Sequence, residues 1–478
     1  MMKAVVVFAV LLAVVLADGS SSHFRKTFNR LHQEPPPPPV SPGLGRAAKV
    51  ETKWITQKLD HYDKNNDKTW QMRYLSNEEH FKAGGPIFIF VGGEWEVSNG
   101  YLIGGHMYDM AKEHNGSMFY TEHRYYGKSQ PTENLSTENL KYLDVKQALY
   151  DLSHFISTVK KEISGLTNSK VILVGGSYSA TMVTWFQRMF PGEAVGSWAS
   201  SAPLLAKVNF VEYKEVTGQS IRQMGGEACY NRIENAVAEL ESMMFNNRAA
   251  EVKALFKLCN NFNPSNDLDV YSFFGEISDI FAGIVQTHRG NSIQKACADV
   301  MKGDNDVEGL ATFVLKQTYN PKYGCVDVTY QALVEAMGDT SDSSYMMRQW
   351  FYQTCNEYGW YQTSGSKLQP FGTKFPEDLY INACKDAYSE YFTKNTIYEN
   401  IAATNEFFGA LNPGTDNVYF THGQLDPWRA MGLQEEGKAT VIPEHAHCMD
   451  FGSISDSDTA EMKASKVKVA ELVRTWLK

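Results

Sequence analysis

The stretch "VILVGGSYSA", residues 171–180, sets a strand against a helix across a turn of small residues. Val171–Val174 is a short, continuous, largely β-branched run, the pattern of a strand buried on both faces. In "SATMVTWFQRMF", Val183, Phe186 and Phe190 recur at helical spacing, and Pro191 stops the helix. Between them Gly175-Gly176-Ser177-Tyr178-Ser179 stands one letter from the G-x-S-x-G nucleophile elbow. In that elbow a strained strand-to-helix turn lifts the serine Oγ above the sheet edge. Serine at 179 is small enough for strand and helix to approach closely, and Ala180 adds room. Ser177 is thus a candidate nucleophile. On this stretch alone, an ordinary small-residue turn is the other reading.

Working outward, "PIFIFVGGEW" (86–95) and "SMFYTEHRYYG" (117–127) read as strands running into loops. The run from Ser136 to Ile163 reads as a helix with Leu149, Leu152, Ile156, Val159 and Ile163 on one face and Ser136 available as its cap. "AVGSWASSAP" (194–203), "NVYFTHGQLDPW" (417–428) and "ATVIPEHAHCMDF" (439–451) continue the strands, and an amphipathic helix closes the chain. Strands alternating with long helices predict an α/β fold, a mostly parallel sheet with helices on both faces. Residues 205–350 change texture and read as a largely helical insertion capping the sheet edge. The expected division is a signal peptide at 1–17, a proline-rich linker at 18–49, a sheet domain at 50–204 and 351–478, and the helical cap at 205–350.

Composition narrows the function classes. The 478 residues are 43% hydrophobic and carry a net charge of −10, with no basic arm or Lys/Arg stripe, which excludes a nucleic-acid-binding protein. Lys3 followed by the apolar run Ala4–Ala17 and the small residues of "VLA" reads as a secretory signal, too short for a membrane span. No membrane association is expected after its removal. The seven cysteines form no C-x-x-C or Cys/His pattern, so neither metal nor cofactor is expected. In an oxidising compartment they predict disulfides, with Cys448 the odd one out. Asn115 and Asn134 head N-glycosylation sequons.

A serine hydroxyl needs a base to take its proton and a carboxylate to hold that base in the right tautomer. In the α/β-hydrolase fold the chain order is Ser, then Asp or Glu, then His. "VYFTHGQLDPW" delivers Asp426 from the end of a strand. After one further strand, "EHAHCMD" offers His445 and His447. In isolation Asp426 reads as an Asp-Pro turn starter and the histidines as a solvated loop. Their order and strand-end positions speak together for a triad.

At these residues the chain resembles the serine peptidase family that contains lysosomal Pro-X carboxypeptidase, dipeptidyl peptidase II and thymus-specific serine protease. "GGSY", "GQLDPW" and "AHCMD" carry the resemblance, with "LDHYD" (59–63), "EHRYYGKSQP" (122–131), "LKYLDVKQAL" (140–149), "SSAPLLAK" (200–207) and "RQWFYQTCNEYGWYQT" (348–363). It implies an α/β-hydrolase fold with the helical cap inserted between nucleophile Ser and catalytic Asp. It implies Ser177 as nucleophile, Asp426 as orienting acid and His447, at the histidine of an A-H-x-x-D pattern, as general base. The Tyr178 amide would supply one oxyanion donor and the loop at Gly93 and Glu94 the other.

Trp428 resembles a residue of the family's pocket for proline. Trp350, Phe351, Tyr352, Trp360 and Tyr361 are further pocket candidates, although plain core packing is the better reading for most of the five. By family position Cys355–Cys384 looks like one bridge, with Cys229–Cys297 and Cys259–Cys325 reasonable companions. The chain departs from the pattern at Cys448, where a second histidine is common, at Ser179-Ala180, where glycine is common, and at "GGEW" for "GGEG". The implied function is a secreted or lysosomal serine exopeptidase acting on short peptides through an acyl-enzyme. Peptide substrates are its expected partners, and a homodimer is compatible with the reading. Cleavage from the amino end, from the carboxyl end or internally stays open. The alternatives are another α/β-hydrolase chemistry, such as an esterase, or a non-catalytic binding protein.

Overall fold

The computed structural model describes residues 22–38, 50–341 and 346–478. The expected signal peptide at 1–17 lies outside the described residues, as does much of the proline-rich stretch. The strands are β1 (Glu51–Lys58), β2 (Thr69–Asn77), β3 (Ile87–Val91), β4 (Ser117–Thr121), β5 (Val171–Gly176), β6 (Gly196–Ser200), β7 (Lys207–Asn209), β8 (Gly359–Tyr361), β9 (Val418–Gly423) and β10 (Ala439–Ile442). Eight of them form one sheet in the order β1-β2-β4-β3-β5-β6-β9-β10. β1, β2 and β4 pair antiparallel, and every pairing from β4 through β3 to β10 is parallel. This order, with β3 and β4 exchanged and an antiparallel edge, is that of the α/β-hydrolase fold.

Every residue of β3, β4, β5, β6 and β9 is buried, as expected of parallel strands covered on both faces. On one face Phe90 stacks on Tyr101 at 4.2 Å and meets Phe451 edge-on at 5.1 Å. The helix predicted from Ser136 begins later. Ser136 caps only the short helix Thr137–Leu140, and the long helix Val145–Glu162 starts at Asp144, whose carboxylate accepts from the Gln147 amide. Both residues can cap a helix, but the break between Leu140 and Val145 separates two starts.

The chain divides into two compact units. One holds the large sheet and comprises, among the described residues, 32–38, 50–206, 340–341, 346–353 and 399–478. The other is largely helical and takes 22–31, 207–339 and 354–398. The sequence reading returned to the sheet domain at 351, whereas the helical unit runs on to 398 and residues just before 354 go to the sheet unit. Side-chain partners account for this division. Arg348 Nε donates to Leu135 O at 2.6 Å and Gln349 Nε2 to Tyr125 O at 3.0 Å, both in the sheet unit. Beyond them the Cys355–Cys384 bridge ties its segment into the helical unit.

Residues 22–31, read as linker, form a helix of that helical unit, with Phe24 and Phe28 buried and Thr27 donating to Glu276 Oε1 at 2.6 Å. The same unit contains the bridges Cys229–Cys297 and Cys259–Cys325 and the small β7–β8 sheet. Loops of 68, 66 and 29 residues are closed by the three bridges. In the chain-entropy account each stabilises by roughly 3–4.5 kcal/mol. Cys448 is free and buried.

In the sheet unit, the loop after β4 is fixed by a fully buried ion pair. Arg124 Nε and Nη2 donate to the two oxygens of Asp151 at 2.7 and 2.8 Å. Its remaining N–H groups go to the carbonyls of Lys58, Leu59 and Tyr142. Such a bidentate pair is geometrically specific, and removing one partner strands the other charge without water. Asp151→Ala is therefore expected to destabilise the fold by roughly 3–5 kcal/mol. A thermal-unfolding midpoint unchanged from wild type would show that the pair carries no such role.

Candidate active site

Ser177 follows β5 with φ 57° and ψ −132°, in the left-handed half of backbone space, and opens the helix Tyr178–Met189. Its amide donates to Ser200 O at 2.9 Å, locking the turn to β6. The small residues around it are required by contact. A Cβ at Gly175 would lie 2.3 Å from Ser179 O, and one at Gly176 would lie 2.8 Å from the Phe451 ring. Ser179 earns its place differently from glycine. Its Oγ accepts from the Gly176 amide and donates to the Gly176 carbonyl, both at 2.9 Å, so the hydroxyl pins the turn it occupies.

β9 and β10 deliver the other two candidates. Just past β9 the loops are zipped together, Gln424 N donating to Ile442 O and Leu425 N to His445 O. Asp426 is fully buried, and its carboxylate accepts from the Trp428 amide at 3.0 Å and from His447 Nδ1 at 2.9 Å to each oxygen. The Ser201 hydroxyl also bonds to it. The neighbour of His447, Cys448, is left-handed at φ 52° and donates its amide to Ser201 Oγ at 3.0 Å. Cys448 Sγ lies 3.3 Å from where a Gly176 Cβ would stand. The histidine loop is thus seated against the residue preceding Ser177. His445 turns away, with Nδ1 2.6 Å from Pro443 O in its own loop. Asp450 anchors the loop from its far end by accepting from Ser200 Oγ at 2.5 Å.

The electrostatics follow from burial and pairing. Burial pushes the Asp426 carboxyl up, but the His447 charge and the hydrogen bonds from His447 and Ser201 outweigh it and hold the pKa below the usual range. For His447 burial pushes down, and Asp426 overcomes it, raising the imidazole well above its ordinary value. The neighbouring Cys448 side chain adds to that rise.

Tyr178 is positioned by a directional chain that sequence reading did not find. Arg124 O lies 2.7 Å from His123 Nδ1, and a carbonyl can only accept, so Nδ1 carries the proton. His123 Nε2 then accepts from Tyr178 OH at 3.1 Å, Gln353 Nε2 donates to that hydroxyl at 3.0 Å, and Tyr126 OH donates to Gln353 Oε1 at 2.5 Å. Burial, with some opposition from the Arg124 carbonyl, holds His123 down to about 4, so it stays neutral. These residues sit in the quoted "EHRYYG" and "RQWFYQT" stretches, but their contact joins positions 175 and 227 residues apart in sequence.

The remaining candidates are scattered. Trp350 packs its ring 5.6 Å from that of Tyr178, and Tyr352 is buried two residues before the start of the 354–398 segment. Trp428 is buried on the turn after Asp426. Trp360 and Tyr361 belong to the helical unit, where they stack on Tyr358 and Tyr380, the core packing that the sequence also allowed. Gly93 and Glu94 follow β3, whose pairing with β5 brings Phe90 level with Val174. Asn134 is exposed and Asn115 half-buried. Among the described residues no group of three or more His, Cys, Asp or Glu could hold a metal ion, and no helix is long and apolar enough to cross a membrane.

A left-handed serine at the end of a central parallel strand, with a buried Asp–His pair on the neighbouring loops, is the arrangement of a serine hydrolase of the α/β-hydrolase class. The chain belongs to the serine carboxypeptidase S28 family, whose model matches residues 57–469. It is similar to mouse thymus-specific serine protease, 27% identical over 91% of this chain and 89% of the relative. It is also similar to human lysosomal Pro-X carboxypeptidase, 24% identical over 89% of this chain and 88% of the relative. Among solved structures, a lipase in its open form aligns at TM-score 0.34 with 9% identity over 89% of this chain and all of its own. The protein is a serine peptidase acting on peptide substrates.

Titration of the His447 ring by NMR in the full chain is expected to give a pKa above that of a free imidazole. Asp426→Asn, which removes the charge responsible, should bring it down. A His447 that titrates below free imidazole in the wild type would contradict this balance of burial and charge.

Proposed function

We propose that the protein is an exopeptidase that trims short, proline-containing peptides, with Ser177 as nucleophile, His447 as general base and Asp426 as the group that orients and charges the base. The observation that carries this reading is the Asp426–His447 pair, bonded at 2.9 Å and seated by Cys448 against the nucleophile turn. Ser177 Oγ attacks the scissile carbonyl as His447 Nε2 takes its proton. The tetrahedral oxyanion is held by the Tyr178 amide and an amide near Gly93 and Glu94. His447 then returns the proton to the leaving amine, and water repeats the sequence to release the acyl group. Asp426, bonded to Nδ1, leaves Nε2 as the basic nitrogen.

Support for the proline preference is the aromatic character of Trp350, Tyr352 and Trp428, with the name of the human Pro-X carboxypeptidase. The family relationship favours a peptidase over an esterase. Three disulfides support a secreted or lysosomal location.

Ser177→Ala and His447→Ala are each expected to lower peptide cleavage by roughly 10⁴-fold or more while leaving the protein folded. His445→Ala should change the rate little. Mass spectrometry of peptides with proline at successive positions reads all three, and a fully active Ser177→Ala protein overturns the assignment. His447 accepts a proton only when neutral, and Asp426 raises its pKa. kcat/KM should therefore fall as pH falls through that raised value, with the acid limb above the range of a free imidazole. An activity flat across that limb would rule His447 out as the base.

A further inference from the structure

Glu94 is a buried carboxylate that the catalytic scheme uses only through its backbone. It is 2% exposed, and its Oε2 is buried without a hydrogen-bond donor among the described residues. Its Oε1 has one side-chain partner, His32 Nδ1, at 3.4 Å, longer than a good N–H···O bond. A buried carboxylate left half-satisfied is costly, and a cationic donor with several N–H groups is what it lacks. Its place matters too. It lies three residues beyond β3, the strand paired with β5, and β5 ends at the residue before Ser177. The His32 ring lies 4.9 Å from that of Trp350, which packs on Tyr178, the residue after Ser177.

The segment that brings His32 there is held independently of it. Glu34 Oε1 accepts from Tyr120 OH at 2.8 Å and from the Ser98 amide at 3.1 Å, and Tyr101 OH donates to Pro35 O at 2.7 Å. Gly100 and Gly105 make room for Pro37 and Pro38, since a Cβ at either would fall 2.1 or 2.3 Å from a proline carbon. An extended, proline-bearing piece of the protein's own chain therefore lies in the sheet unit with a basic side chain on Glu94.

We propose that Glu94 is a specificity-determining subsite that binds a cationic nitrogen of the peptide substrate, its free α-ammonium or a basic side chain at its amino end, and that His32 occupies this subsite in the full chain. The inference rests on the peptidase reading and extends it. An ammonium offers three donors to a carboxylate with an unfilled oxygen, where the imidazole offers one at long range. Anchoring the amino end would fix how far into the chain the scissile bond lies.

The test uses full-length wild type, Glu94→Gln and His32→Ala protein with three proline-containing peptides of one core sequence. One has a free amino terminus, one is N-acetylated, and one is N-acetylated with lysine as first residue. Wild type should prefer the cationic peptides, chiefly through KM, and Glu94→Gln should shrink that preference by roughly ten- to a hundredfold. His32→Ala should lower KM for the cationic peptides. Preference for the free amino terminus alone assigns the α-ammonium, and preference shared by the lysine peptide assigns any cationic nitrogen.

A preference that survives Glu94→Gln overturns the subsite. So does a uniform loss on all three peptides while Ser177 still reacts with a fluorophosphonate, which marks a structural role. Should Glu94→Gln fail to react, the His32→Ala protein decides, and an unchanged KM there overturns the proposal. Absence of cleavage by wild type on every peptide overturns the peptidase reading and the subsite with it.

Discussion

The left-handed backbone at Ser177 is the constraint around which the rest is arranged. A non-glycine residue in that region costs about 1–3 kcal/mol and persists only where its surroundings over-determine it. Here β5 and its neighbours hold one side of the turn, since every residue of the strand is buried and paired. The helix Tyr178–Met189 holds the other, buried through its first nine residues. Gly175 and Gly176 cannot carry a side chain without striking Ser179 or Phe451. Strain at Ser177 is thus sustained by a sheet and helix too well packed to relax. Two further non-glycine residues around the site, Ser201 and Cys448, are also left-handed, and they hydrogen-bond to each other.

Rigidity passes from that turn to His447 through short hydrogen bonds rather than through flexible side chains. Ser200 receives the Ser177 amide with its carbonyl and donates its hydroxyl to Asp450. Ser201, next in the chain, accepts the Cys448 amide and bonds to Asp426. One end of β6 therefore ties Ser177, Asp426 and the His447 loop to the same two residues. On the other side the tautomer of His123 fixes the direction of every bond through Tyr178 to Gln353 and Tyr126. That chain sets the orientation of the residue whose amide would meet the oxyanion.

Those elements whose information is local were legible in the sequence. The strand–turn–helix at 171–190 was visible because hydrophobic run, small residues and helical spacing all occur within twenty positions. Asp426 and the histidine loop were legible because both follow strands. Choosing His447 over His445 leaned on resemblance, and the geometric difference between them, one facing Asp426 and one facing Pro443, is a matter of loop shape that spacing does not encode. The antiparallel β1–β2 hairpin was missed because its short alternation sits before the clear parallel strands. The helix at 22–31 was hidden by the prolines beyond it, although Phe24, Phe28 and Leu31 recur on one face. Boundaries at 354 and 398 depend on distant partners such as Leu135 and Cys384.

Two of the departures from the expected pattern, at 179 and 448, are explained by the contacts each residue makes. Serine at 179 replaces a glycine, and its hydroxyl closes both a donor and an acceptor on Gly176, so it recovers in hydrogen bonds what it gives up in freedom. Cysteine at 448 stands beside His447 where the expected pattern has a histidine, and the thiol is 3% exposed with Sγ 3.7 Å from Ser200 O. A thiol so placed is a small apolar filler against Gly176 with a weak donor turned onto a carbonyl. It faces the backbone behind Ser177 rather than solvent, and it also lies against the His447 ring. A second imidazole in its place would bring another titrating ring next to His447. With cysteine there, the charge on Asp426 is the largest influence opposing burial at His447, and Cys448 adds to it.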